Sequence, residues 1–201
     1  MAAVDRLPMD IRIRNSFSHN TRFDDVPGDI VSFFMVRNPW QWYVSSYEFA
    51  QQFPDKSPGH VGQPFCDFLD MALNKKVQRF VSLPVGQQSN YFLNYSYPRR
   101  TLRVLRKGWK VLQRGGVKLL DPAMLPPSKV RAFRLEDGLE AVVKFVAMEF
   151  GQELHLPKEW VHQTTKRELA YYYSADLLEK VATKESLLIR KFGYTPPPLG
   201  S

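Results

Sequence analysis

The run Asp29–Val36 (DIVSFFMV) constrains this chain more than any other feature, because it carries β-branched and aromatic side chains on both faces. Such a run reads as a buried strand of the parallel kind. It leads directly into Arg37-Asn38-Pro39. Asn38 can accept the first N–H groups of a helix, and Pro39 suits its first position. The spacing therefore predicts a strand that hands over to a helix running to about Gln52.

Further elements follow from periodicity. Phe65, Phe68, Leu69 and Ala72 predict a helix over Phe65–Leu73. Thr101–Arg114 sets Leu102, Leu105, Trp109 and Leu112 opposite Arg103, Lys107, Lys110 and Arg114, which predicts an amphipathic helix with one cationic face. Val130–Leu135 reads as a second strand, Asp137–Phe150 as a helix, and the stretch from Ser174 to Gly193 as one last helix. Residues 1–28 are read as an irregular segment and 195–201 as a tail. The expectation is one α/β domain over residues 1–201, a parallel-sheet core flanked by helices, with few strands and many helices.

Composition narrows the function classes. Hydrophobic residues make up 44% of the 201 and charged residues 24%, so the chain can bury a core. Its single cysteine, Cys66, cannot form an internal disulfide. That fits a reducing compartment, and the expected location is the cytoplasm. No apolar run approaches the roughly 20 residues of a membrane helix, and MAAVDRLPMD offers no signal-peptide stretch. His19, His60, His155 and His162 show no HExxH spacing, which argues against a metalloenzyme. Charge is segregated. Between Asp70 and Asp121 there is no acidic residue but a charge of +11, so the rest of this +8 chain is net −3. A face of this kind attracts anions over about 8 Å at physiological salt. It fits nucleic acid, an acidic polysaccharide, a phosphorylated cofactor or an anionic membrane, or serves solubility alone.

At the strand–helix junction, VRNPWQWYVSSYEF, an arginine stands at the carboxyl edge of the strand, where open α/β sheets place ligands. A guanidinium fork suits phosphate. Ser45 lies six residues beyond Pro39, about 9 Å along the helix. Spacing alone leaves two roles open, an anion site shared with Ser45 or a plain salt bridge.

Phe34–Phe49 resembles the 3′-phosphate-binding motif of the sulfotransferases that use 3′-phosphoadenosine-5′-phosphosulfate (PAPS). Arg37 and Ser45 match its arginine and serine, and Asn38, Pro39, Val44, Tyr47 and Phe49 fit its common form. FRLED (Phe133–Asp137) looks like that family's later strand. HQTTKRELAYYY…IRKFGY looks like its nucleotide-covering loop and final helix. The resemblance spans roughly Ser18 to Tyr194. It implies a sulfotransferase core of the P-loop NTPase type, PAPS (or its product PAP) as cofactor, and sulfuryl transfer to a hydroxyl or amine of a small-molecule or saccharide acceptor. It further implies that Thr165, Lys166 and Arg167 contact the nucleotide and that His19, ahead of the motif, is the base. Glu48 and Glu136 are weaker candidates for that base, and Glu136 is also expected to orient Arg134 or cap the next helix. Trp40 is expected in the acceptor cleft, with Arg103, Lys107 and Lys110 guiding an acidic acceptor.

One departure stands out. The glycine-rich loop that opens the family and holds the 5′-phosphosulfate has no counterpart before Ile30, where Gly28 is the first glycine. The resemblance is therefore to an N-terminally shortened form, to one with that half of the site lost, or to one with the loop replaced by another segment. The alternatives are a degenerate nucleotide- or partner-binding protein and a basic binder of nucleic acid or an anionic surface. No helix-turn-helix, zinc-finger or RNA-binding motif accompanies the charge, which weighs against nucleic acid.

Overall fold

A computed structural model describes residues 32–74, 81–114, 121–128, 130–151 and 167–199. Among these the protein is mostly helical around a small parallel sheet of two strands, β1 (Phe33–Val36) and β2 (Arg131–Arg134). That is α/β in the coarse sense. Phe33 pairs with Arg131 and Val36 with Arg134, so both strands end at the same edge.

The helices are α1 (Pro39–Gln52), α2 (Phe65–Asn74), α3 (Gln87–Ser96), α4 (Arg99–Arg114), α5 (Glu140–Phe150), α6 (Leu169–Tyr172), α7 (Ala175–Lys184) and α8 (Ser186–Phe192). Helix α1 starts as its sequence dictates: the Asn38 side chain accepts from the N–H groups of Trp40 and Gln41, and Pro39 takes the first turn. Side chains alternate across the strands. On one face Phe33 therefore meets Phe133 and Phe145 of α5 edge-on at 6.1 and 6.2 Å, and Phe133 lies tilted against Phe145 at 5.4 Å, while Phe34 meets Phe92 of α3 on the other.

Two apolar clusters hold the helices. In the first, Trp40, Tyr43 and Val44 of α1 pack with Phe65, Phe68 and Leu69 of α2 and with Tyr172, Tyr173 and Val181. In the second, Val36 and Val81–Val85 pack with Phe92 and Leu93 of α3, Leu102 and Trp109 of α4, and Leu187 and Leu188 of α8. Each fully buried leucine among them contributes about 1.5–3 kcal/mol.

Three expectations need correction. The helix expected from Asp137 begins at Glu140. Residues Leu135–Asp137 form a 3-10 turn ended by Gly138, whose φ of +83° is a glycine conformation. The single last helix is two helices, broken at Glu185: α7 supplies Val181 to the first cluster and α8 supplies Leu187 and Leu188 to the second. Helix α3 was not expected at all. Its buried face is largely polar: Asn90 and Asn94 accept from the N–H groups of Leu83 and Val81 and donate back to the carbonyls of Leu83, Val85, Gly86 and Val81. The non-helical segment Val81–Gly86 thus finds backbone partners in asparagine side chains where a sheet would use a neighbouring strand. The strand expected from Asp29 is described only from Phe33.

Candidate functional site

The common ending of β1 and β2 brings three distant segments together. Arg37 leaves β1 and reaches back along α1, where its Nη1 donates a 2.8 Å hydrogen bond to the Ser45 hydroxyl. The spacing of eight residues that left two roles open in the sequence is therefore a contact. Arg37 is partly buried, and loss of solvation lowers its pKa, with the Glu136 charge opposing. An arginine stays charged regardless. Among the described residues no carboxylate forms an ion pair with it. The arrangement is a partly desolvated cation beside a hydroxyl that keeps its own proton to donate, which is what an oxyanion requires.

Glu136 follows β2. One oxygen accepts from the backbone N–H of Asn38 at 2.6 Å and the other from the Tyr194 hydroxyl at 3.1 Å. It neither orients Arg134 nor caps α5, which corrects the expected structural role. Arg134 is held instead by the Phe192 carbonyl at 3.3 Å, by Asp137 at 3.6 Å, and over the Tyr194 ring at 5.0 Å. With Asn38 Oδ1 on Trp40 and Gln41 and Glu136 on Asn38 itself, the N-terminal donors of α1 already have partners. Any anion here would rely on side chains.

Ser45 and Glu48 share one face of α1. Glu48 accepts from the Tyr172 hydroxyl at 2.6 Å, and that hydroxyl accepts from the Arg167 N–H at 3.2 Å. Burial, with help from Glu48, pushes the Tyr172 phenol up to about 12. The Arg167 guanidinium is exposed and lies 4.1 Å from the Tyr171 ring centroid. The Arg167 backbone is thus joined through Tyr172 to Glu48, one turn beyond Ser45 on α1.

The other expected residues lie elsewhere. Trp40 is 1% exposed, donates from Nε1 to the Leu178 carbonyl at 3.2 Å, and accepts at its own carbonyl from Tyr173. It is core between α1 and α7 and faces no cleft, because its indole is the largest apolar group on the buried side of α1. Arg103, Lys107 and Lys110 are exposed on α4, whose Leu102 and Trp109 are buried. None of the three has an ion-pair partner among the described residues, and none touches the Arg37–Ser45 pair. His19, Thr165 and Lys166 lie outside the described residues.

Clefts elsewhere on the described residues include two of note. One, of about 510 Å³, lies between α2 and α7 beside the Asp70–Lys180 ion pair. The other, of about 640 Å³, is lined by Phe92, Tyr97, Pro127, Lys191 and Phe192. Neither includes Arg37 or Ser45, so the candidate site stands on the chemistry of that pair. Among the described residues no helix is long and apolar enough to cross a membrane, and no group of three His, Cys, Asp or Glu could hold a metal ion. Compared with known proteins, the chain matches no family model, no curated protein and no solved structure.

Proposed function

We propose that the protein binds the 3′-phosphate of PAPS through Arg37 and Ser45 and serves sulfuryl transfer to a hydroxyl or amine acceptor. The observation that carries this reading is the 2.8 Å contact between Arg37 and Ser45 at the carboxyl edge of a parallel strand. A phosphate would offset the desolvation of Arg37 and would accept the Ser45 proton as well, so the pair fits the group. PAPS supplies an activated sulfuryl group whose bond to the phosphate breaks as the acceptor oxygen or nitrogen bonds to sulfur. In this proposal His19 takes the acceptor's proton. Arg167, whose N–H is joined through Tyr172 to Glu48, contacts the nucleotide, a role the resemblance extends to Thr165 and Lys166.

Labelled PAPS with a panel of hydroxylated and amino acceptors tests the reaction. The expected result is transfer of label that falls roughly ten- to hundredfold in Arg37→Ala, the effect of losing one charge-assisted bond. Binding of the nucleotide without transfer to any acceptor would overturn the transferase assignment and leave a nucleotide-binding protein.

The exposed cations of α4 are proposed to draw in an acidic acceptor. Like charges three or four residues apart destabilise a helix by about 0.2–0.5 kcal/mol per pair, and a polyanion would relieve that strain. Reversing Arg103, Lys107 and Lys110 to glutamate is expected to abolish binding of an acidic saccharide and its salt dependence, while affinity for adenosine 3′,5′-bisphosphate stays unchanged. Filter binding over a salt series measures both. Duplex DNA competing better than every acidic saccharide would favour a nucleic-acid surface instead.

A further inference from the structure

We infer that Tyr194 and Glu136 form a strap that positions the Arg37 site by keeping the Glu136 carboxylate off the arginine, an inference that rests on reading Arg37 and Ser45 as an anion site. Helix α8 ends at Gly193, whose φ of +66° turns the chain back so that the N–H of Tyr194 bonds to the Ile189 carbonyl. The turn delivers the Tyr194 hydroxyl to one oxygen of Glu136, while the other oxygen holds the N–H of Asn38, the residue next to Arg37. Glu136 is the carboxylate whose charge acts on Arg37, yet it forms no ion pair with it.

Both Glu136 oxygens are thus committed to other donors, and the guanidinium is left to Ser45. Tyr194 is buried, and the Arg134 guanidinium lies against its ring, so the phenol has a fixed position from which to hold the carboxylate. Once the Tyr194 hydroxyl is removed, the freed oxygen of Glu136 can turn to a cation, either Arg134 against the Tyr194 ring or the Arg37 guanidinium on which its charge already acts, and the second choice places it in the anion site. An ion pair there would compete with an incoming phosphate. Tyr194 and Glu136 are therefore positioning residues, contributed by segments 58 residues apart in sequence, and they tie the end of the chain's last helix to the candidate site.

The sign of the effect separates this role from simple support of the fold. Tyr194→Phe is expected to weaken binding of adenosine 3′,5′-bisphosphate by about twofold to fivefold, the span of a partly exposed ion pair. Adding Glu136→Gln, which keeps an acceptor for the Asn38 N–H but removes the charge, is expected to restore the affinity. Calorimetry on the four combinations gives the answer. An unchanged affinity in Tyr194→Phe, or a double variant no better than the single one, would overturn the strap. Hydrogen exchange at the Asn38 amide, followed without nucleotide, reads the strap apart from the nucleotide assignment: Glu136→Ala should speed it and Glu136→Gln should not. Equal exchange in those two variants would also overturn it. Absence of nucleotide binding by the unaltered protein would instead remove the anion-site assignment, with the exchange result still standing.

Discussion

Replacing Glu185 with alanine is expected to cost about 4 kcal/mol or more of folding stability, a large share of the roughly 5–15 kcal/mol a domain possesses. Glu185 is fully buried where α7 breaks from α8. One of its oxygens accepts from the Tyr43 hydroxyl and the N–H of Gln88, the other from the N–H and hydroxyl of Ser89. Gly86 at the start of α3 has no side chain to cap that helix, and Glu185 performs the task from 96 to 97 residues away, at the positive end of the helix dipole. Alanine would leave four buried donors without an acceptor at about 1–3 kcal/mol each, less whatever water entering the cavity restores. Urea unfolding measures the loss, and a cost under about 1 kcal/mol would contradict this role.

The same group gives a pH dependence. Burial raises the Glu185 pKa, and the bonds from Ser89, Tyr43 and Gln88 offset only part of the shift. The folded protein then holds this proton to higher pH than the unfolded chain does. Stability from Glu185 is therefore complete below the ordinary carboxylate pKa and is lost as pH rises through the folded value. Glu185→Gln should flatten that part of the stability curve.

Gly86→Ala is the second large effect, expected at about 3 kcal/mol. A Cβ at Gly86 would fall 2.2 Å from Oε1 of Glu185 and 2.4 Å from its carboxyl carbon. The carboxylate cannot swing aside without surrendering bonds on both oxygens, and the Gly86 backbone is itself tied by a 2.7 Å bond to the Lys184 carbonyl. The effect should depend on its cause: in a Glu185→Ala background the same substitution should cost much less, since the clash is gone. Additive costs, measured by the same unfolding, would show that the strain lies elsewhere.

Elements whose buried faces are apolar were legible in the sequence. Asn38-Pro39 marked the start of α1, the leucines and Trp109 marked α4, and the aromatic runs marked both strands. Helix α3 was hidden because most of its buried positions are polar, with Gln87, Gln88, Ser89, Asn90, Asn94 and Ser96 beside only Phe92 and Leu93, and they read as a polar loop until their partners are known. The break at Glu185 was hidden for the same reason, because a charged residue within a periodic run looks like part of a solvated face. At the candidate site the Arg37–Ser45 spacing was local and could be read. The partners of Glu136 could not, since Asn38 and Tyr194 lie 98 and 58 residues away and meet it only through the register of β1 on β2. Trp40 was misplaced because an aromatic beside a binding motif suggests a cleft, while its helix turns that side into the core.

Calorimetric titration of the protein with adenosine 3′,5′-bisphosphate and with adenosine 5′-monophosphate tests the Arg37–Ser45 site most directly, because the two ligands differ only in the phosphate that the pair is proposed to hold. The bisphosphate is expected to bind roughly ten- to hundredfold more tightly, with the preference lost in Arg37→Ala. Equal affinity for the two nucleotides, or a preference that survives in Arg37→Ala, would contradict it.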